Sequence, residues 1–152
     1  MASDALLTIK EIQGESKDFT LPDAIHLESF TWSLEAPFSG GQRSGAVNIG
    51  TLSVVKETDA SSVDLMDYLL RNKVIAKATL IVRKAGEKPL DFYIVTIFSA
   101  SVKSVSKSFV GETVLETFAF VFQRFQFESK EQSERGAAAS HKMVEYSVAQ
   151  NK

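Results

Sequence analysis

Hydrophobic and polar residues alternate along most of this chain, and the exceptions mark corners, one helix and a surplus of apolar surface. Residues 6–12 form a short apolar-rich run stopped by Gly14-Glu15-Ser16-Lys17-Asp18, which predicts a strand and a turn. A second strand begins near Ala24, with Ile25 and Leu27 on one parity. From Phe30 the apolar positions change parity, to Phe30, Trp32 and Leu34. Side chains alternate faces along a strand, so the switch predicts a bulge or a strand that leaves one sheet for another.

Residues 36–45 contain Pro37, Gly40, Gly41 and Gly45, the mark of a loop that is long for a hairpin, and a strand resumes over 47–55. Asp59-Ala60-Ser61-Ser62 offers helix N-caps, with Ser61 and Asp64 at capping-box spacing. Val63, Met66, Leu69 and Leu70 follow at three- and four-residue intervals, which predicts an amphipathic helix of about three turns. Everything later reads as strand. Ala76, Ala78, Leu80 and Val82 alternate with Lys77, Thr79, Ile81 and Arg83, and a turn at 85–88 leads into strands over 90–98 and 102–109. Gly111-Glu112 turns the chain into a strand over 113–127. A mixed-charge loop over 128–135, a small flexible stretch over 136–140 and a closing strand over 143–148 complete the chain. About eight strands with turn signals roughly every 10 residues predict one mainly β domain, a barrel or sandwich, over residues 1–152.

Two of these strands carry too much apolar surface for a sheet with one wet face. Phe118, Phe120 and Phe122 share one parity of the 113–127 segment; Leu115, Ala119, Val121, Phe125 and Phe127 share the other. Residues 90–98 behave the same way, with Phe92, Ile94 and Phe98 opposite Tyr93, Val95 and Ile97. One helix shields little of this, so either a second subunit or the chain's own loops must cover the rest. Glu116, Arg124 and Lys130 read as gatekeepers against aggregation beside the phenylalanine run.

Composition narrows the function. At 152 residues, 44% hydrophobic and 24% charged, the chain has the make-up of one globular domain. A net charge of −2 argues against nucleic acid, and the lack of cysteine removes disulfides, thiolate metal sites and thiol catalysis. No apolar run approaches the roughly 18 residues of a membrane span, and Asp4, Lys10 and Glu11 leave no signal-peptide core. His26 and His141 are far apart with no triad signature, and no Gly-x-Ser-x-Gly elbow occurs. Gly40 to Gly45 has the glycine spacing of a P-loop, but Ala46-Val47 stand where lysine and a hydroxyl are needed. The carboxylates form no calcium loop. The expectation is a non-enzyme with no metal and no cofactor.

Several ordered pieces resemble one known family: residues 9–12 with Gly14-Glu15-Ser16, residues 25–32 ending at Trp32, the Gly/Ser-rich loop, Lys56 to Ser61, residues 77–86 and Gly111-Glu112-Thr113-Val114. Together they resemble the haemolysin-coregulated protein (Hcp) family, the tube subunit of bacterial type VI secretion systems. The resemblance implies a closed two-sheet β-barrel with one flanking helix, similar to phage tail-tube proteins. It implies a homohexameric ring that stacks into a tube, with sheath, spike and effector proteins as partners and effectors held in the lumen. It also implies assembly in the bacterial cytoplasm and secretion to the outside or into a target cell without a signal peptide. Ser62 stands where the family often has proline, and the 36–45 loop is shorter than in many relatives. No fused toxin domain is expected after the last strand.

Candidate interface residues are Phe38, Gly40, Gly41, Gln42 and Arg43 in the loop, where glycines permit turns closed to other residues, and Phe118, Phe120 and Phe122 for lateral contact. Ser104, Ser106 and Ser108 form a polar stripe that suits a lumen wall or plain solvent exposure. The rival readings are a monomeric barrel that binds a ligand among its phenylalanines, and a phage-type tail-tube protein.

Overall fold

The computed structural model describes residues 3–15, 23–84, 90–132 and 138–148. In chain order these form β1 (Ser3–Ile9), β2 (Ile25–Leu27), β3 (Ser29–Thr31), β4 (Leu34–Glu35), β5 (Phe38–Ser39), β6 (Gln42–Arg43), β7 (Asn48–Ile49) and β8 (Leu52–Glu57). Helix α1 (Ala60–Leu70) follows, then β9 (Ile75–Lys84), β10 (Leu90–Val110), β11 (Thr113–Val121), β12 (Arg124–Gln132) and β13 (Ala138–Ser147).

The parity switch at Glu28 is a corner. β2 pairs with β1, while β3, one residue later, pairs with β8. β10 turns a second corner: its first half pairs with β9 and β12, its second half with β11. Between the halves Ser99 sits at φ 51, a left-handed conformation that sharply redirects a strand. A third corner lies at Phe122-Gln123, so the strand expected over 113–127 is two: β11 pairs with β8 and β10, and β12 with β10 and β13. The result is one antiparallel ladder in two halves, β2-β1-β9-β10-β12-β13 and β10-β11-β8-β3. Among the described residues β2 and β3 are joined through the chain at Glu28 rather than by a ladder, so the fold is mainly β as expected, and the pairing shows no closed barrel.

Both halves pack on one core that contains Leu7, Ile25, Leu80, Val95 and Ile97 from the first, Leu52, Val54, Phe118 and Phe120 from the second, and Leu65 from α1. The helix has the expected length but a different phase. Asp59 is the N-cap: its carboxylate accepts the Ser61 N–H at 2.9 Å, and its own N–H donates to Ser62 Oγ at 3.0 Å. The capping box is therefore Asp59 with Ser62, not Ser61 with Asp64. Leu65 is buried and Met66, Tyr68 and Leu69 pack against the core, whereas Val63 and Leu70 are 75% and 71% exposed.

Of the 128–135 segment, read as a loop from its charges, residues 128–132 are strand and 133–135 lie outside the described residues. β12 continues to Gln132 and β13 begins at Ala138, earlier than residue 143. Its polar side chains meet across the hairpin, as where Glu128 hydrogen-bonds His141 at 2.8 Å. The outer aromatics of β10 are covered from within the chain: Arg124 lies 4.0 Å over the Phe98 ring and Lys84 lies 4.9 Å over Phe92. The Gly14-Glu15 pair also gains a physical reason. Gly14 donates its N–H to Asp23 O, and a Cβ there would sit 2.5 Å from Ala24 O and 2.6 Å from Ile25 Cα. Glu15 Oε1 accepts the Ala60 N–H at the start of α1. Gly14→Ala should cost about 1–3 kcal/mol, because the opposing atoms are backbone and cannot step aside; a thermal melt within a degree of the parent would contradict this.

Candidate functional site

Three surfaces stand out once the ladder is in place. The first is a hydroxyl-rich sheet face. Val54, Phe118 and Phe120 point into the core, so the alternate residues of the same strands point away from it. Register aligns Ser104, Ala119, Ser53 and Thr31 in one cross-strand row, and Ser106, Thr117, Val55 and Ser29 in the next. Ser108 lies opposite Leu115 in a third. The three expected serines are all exposed and belong to this face, and the structure adds Ser29, Thr31, Ser53 and Thr117, which are scattered in sequence. These two four-residue rows hold no charged side chain.

The second surface is apolar. Beyond the core, the inward side of β12 and β13 continues as Phe125, Phe127, Val144 and Tyr146, opposite the short β4–β7 ribbon. Trp32, Leu34, Val47 and Ile49 form the facing wall of a hollow of about 390 Å³ with no polar lining. Trp32 is fixed there: its Nε1–H donates to the Tyr93 hydroxyl at 2.7 Å, and its ring meets Phe125 and Phe127 edge-on. Further along the chain, β5 and β6 make a hairpin whose turn is Gly40 and Gly41, at φ 59 and 82. Two successive positive φ values fit a tight two-residue turn that non-glycine residues rarely adopt. Phe38, Gln42 and Arg43 stand exposed on it, Phe38 at 64%. Phe118, Phe120 and Phe122 do not join this set. They are buried in the subunit's own core, because their parity faces the other half of the ladder, and they leave nothing for a neighbour.

The third feature is a buried charge cluster. Cross-strand register sets Lys107, Glu116 and Lys56 side by side on β10, β11 and β8. The Lys56 and Glu116 side chains are fully buried, 3.0 Å apart. Lys56 also donates to Ser62 Oγ at 2.8 Å and lies 2.9 Å from Asp59 Oδ1. Glu116 accepts hydrogen bonds from Ser62, Thr58 and Lys107 as well. Burial pushes the Glu116 carboxyl up, but hydrogen bonds from Lys107, Ser62 and Lys56 and the Lys56 charge outweigh it and hold it at about 2. Ser62, which stands where the family often has proline, is the hydroxyl that joins the helix start to this carboxylate. A signal was present in sequence: Lys56 and Glu116 occupy the apolar parity of β8 and β11 beside Val54 and Phe118.

His26 and His141 remain apart. His26 is exposed on β2, and among the described residues no group of three His, Cys, Asp or Glu is placed to hold a metal. No described helix is long and apolar enough to cross a membrane.

The described residues thus form an antiparallel two-half ladder with one packed helix, a hydroxyl-rich face, an apolar hollow and a buried charge cluster. Residues 6–128 match the family described as "Type VI secretion system effector, Hcp", and the chain belongs to this Hcp family. It is 32% identical to protein Hcp1 of Pseudomonas aeruginosa over 146 residues, 90% of this chain and 89% of that protein. It superposes on the crystal structure of Hcp1 from Salmonella typhimurium with a TM-score of 0.81, at 27% identity over 99% of each chain. A structure described as a type six secretion system protein gives a TM-score of 0.89 at 21% identity, again over 99% of each chain.

Proposed function

We propose that this protein is the ring-forming subunit of a type VI secretion tube. Six copies close head-to-tail, rings stack, and the tube carries effectors in its lumen and leaves the cell with them. The observation that carries this reading is the whole-chain correspondence to the Hcp family. The surfaces agree with it. A heterologous ring needs two different patches on one chain that are complementary to each other, and the apolar hollow and the exposed Phe38 hairpin are two such features in different places. The hairpin with Phe38, Gly40, Gly41, Gln42 and Arg43 makes the contact between neighbouring copies. The hydroxyl-rich face with Ser104, Ser106 and Ser108 lines the lumen, where neutral hydroxyls hydrate well and do not select cargo by charge. Sheath and spike proteins are the further partners of such a tube.

Light scattering after size-exclusion chromatography tests the ring. The chain weighs 16.7 kDa, so a hexamer elutes near ~100 kDa. A monomer at high concentration would overturn the reading. It would favour the ligand-binding rival, with the 390 Å³ apolar hollow as its site.

A further inference from the structure

Past the last core row of the second half-sheet, where Val54 and Phe118 sit side by side, the ladder loses its apolar filling. The following row on that side is Lys56, Glu116 and Lys107. Beyond it β8 ends at Glu57, and only β10 and β11 continue, as an arm that turns at Gly111. The arm is apolar and exposed at its end: Phe109 is 73% exposed, and Val110 and Val114 are exposed too. A two-stranded ribbon is marginally stable by itself in water. Among the described residues its root is tied to the body by the last ladder pair, Leu115 with Glu57, by a long Thr58 N–H to Val114 O bond at 3.3 Å and by the charge cluster.

We propose that Glu116 is the hub of an ionic latch that sets the arm in one orientation relative to the start of α1. Each connected element delivers one charged group to it: Lys56 from β8, Lys107 from β10 and, through Lys56, Asp59 at the helix cap. Thr58 and Ser62 complete it with hydroxyls. Lys107 belongs to the arm and is partly exposed; Lys56 belongs to the body and is buried. The carboxylate has two oxygens with different duties. Oε1 takes Lys56 and Ser62, both of the body, and Oε2 takes Lys107 from the arm together with Thr58, which lies between β8 and the helix cap. A point-to-point ionic contact of this kind discriminates between orientations where apolar packing tolerates sliding. Its value here is direction more than stability. Orientation of the arm is a property of one subunit; delivery of the Phe109 tip to a neighbouring copy rests on the tube reading.

Amide hydrogen exchange at pH 7 on the intact chain separates these roles, with Lys107→Met and Glu116→Gln as variants. Lys107→Met keeps the buried Lys56–Glu116 pair and therefore the fold. It should raise exchange in residues 108–115 by about tenfold and leave residues 60–66 as in the parent. Glu116→Gln should raise both. Arm amides within about twofold of the parent in Lys107→Met, or a uniform rise over the whole chain, would overturn the latch. If the parent is a monomer, the exchange contrast still decides the latch while the tube reading fails. Loosened arms that assemble as well as the parent would overturn the use of the tip between copies.

Discussion

Lys56→Met should destabilise the protein by about 3 kcal/mol, because it leaves the buried Glu116 carboxylate without its one fully buried charge partner among the described residues. The double variant Lys56→Met, Glu116→Leu should recover most of that loss. It removes both charges, and two apolar side chains suit a site beside Phe118. Lys107 and two hydroxyls still reach Glu116 in the single variant, which keeps the loss at the lower end of the usual range for a broken buried pair. The pH dependence has a definite sign. The folded-state value of about 2 lies below the ordinary 4.5, so Glu116 contributes stability above pH 4.5 and loses it as pH falls from 4.5 towards 2. Urea melts should therefore show the parent's advantage over Glu116→Gln constant from pH 7 to about 5 and shrinking below that. A double variant no more stable than the single one, or an advantage that does not change between pH 5 and 2.5, would show that the cluster is not an energetic unit.

Val144→Asp should dissociate the ring in the tube reading and leave the subunit folded. Val144 is more than half exposed on β13, so the change costs the isolated chain little. In an assembly that fills the hollow, it replaces about 1.5–3 kcal/mol of apolar burial by an unpaired carboxylate. The contact should weaken by at least about 100-fold, and a closed ring makes that contact at every junction. Light scattering across a dilution series, with a melt of the dissociated species, measures both halves of the expectation. Hexamers that persist at the parent's concentrations would place the hollow outside the interface.

The two results draw on residues of different legibility. The parity change between Leu27 and Phe30 was readable because strand side chains strictly alternate, and it became the corner at Glu28. Helix α1 was readable from its period, but its phase was not: Val63 and Leu70 fit an apolar stripe as well as Leu65 does, and packing against the core chose between them. Gly40 and Gly41 announced a turn, and the backbone there needs glycine at both. The β12–β13 hairpin was hidden because charged and polar side chains on a solvated ribbon look in sequence like a charged loop.

The sequence by itself determined what depends on near neighbours in the chain: mainly β structure, one short helix, the first corner, the glycine turn, and enough ordered motif to reveal the Hcp family. Tertiary structure decided what depends on register between distant strands. Phe118, Phe120 and Phe122 went inside because the opposite half-sheet covers their face, although both parities of that run are apolar. Ser29, Ser53, Thr117 and Ser106 became one surface, and Lys56, Glu116 and Lys107 one cluster, only through antiparallel pairing of distant segments, with Lys56 and Glu116 60 positions apart. Periodicity tells a side chain which face of its own strand it occupies; it carries no information about which strand lies alongside.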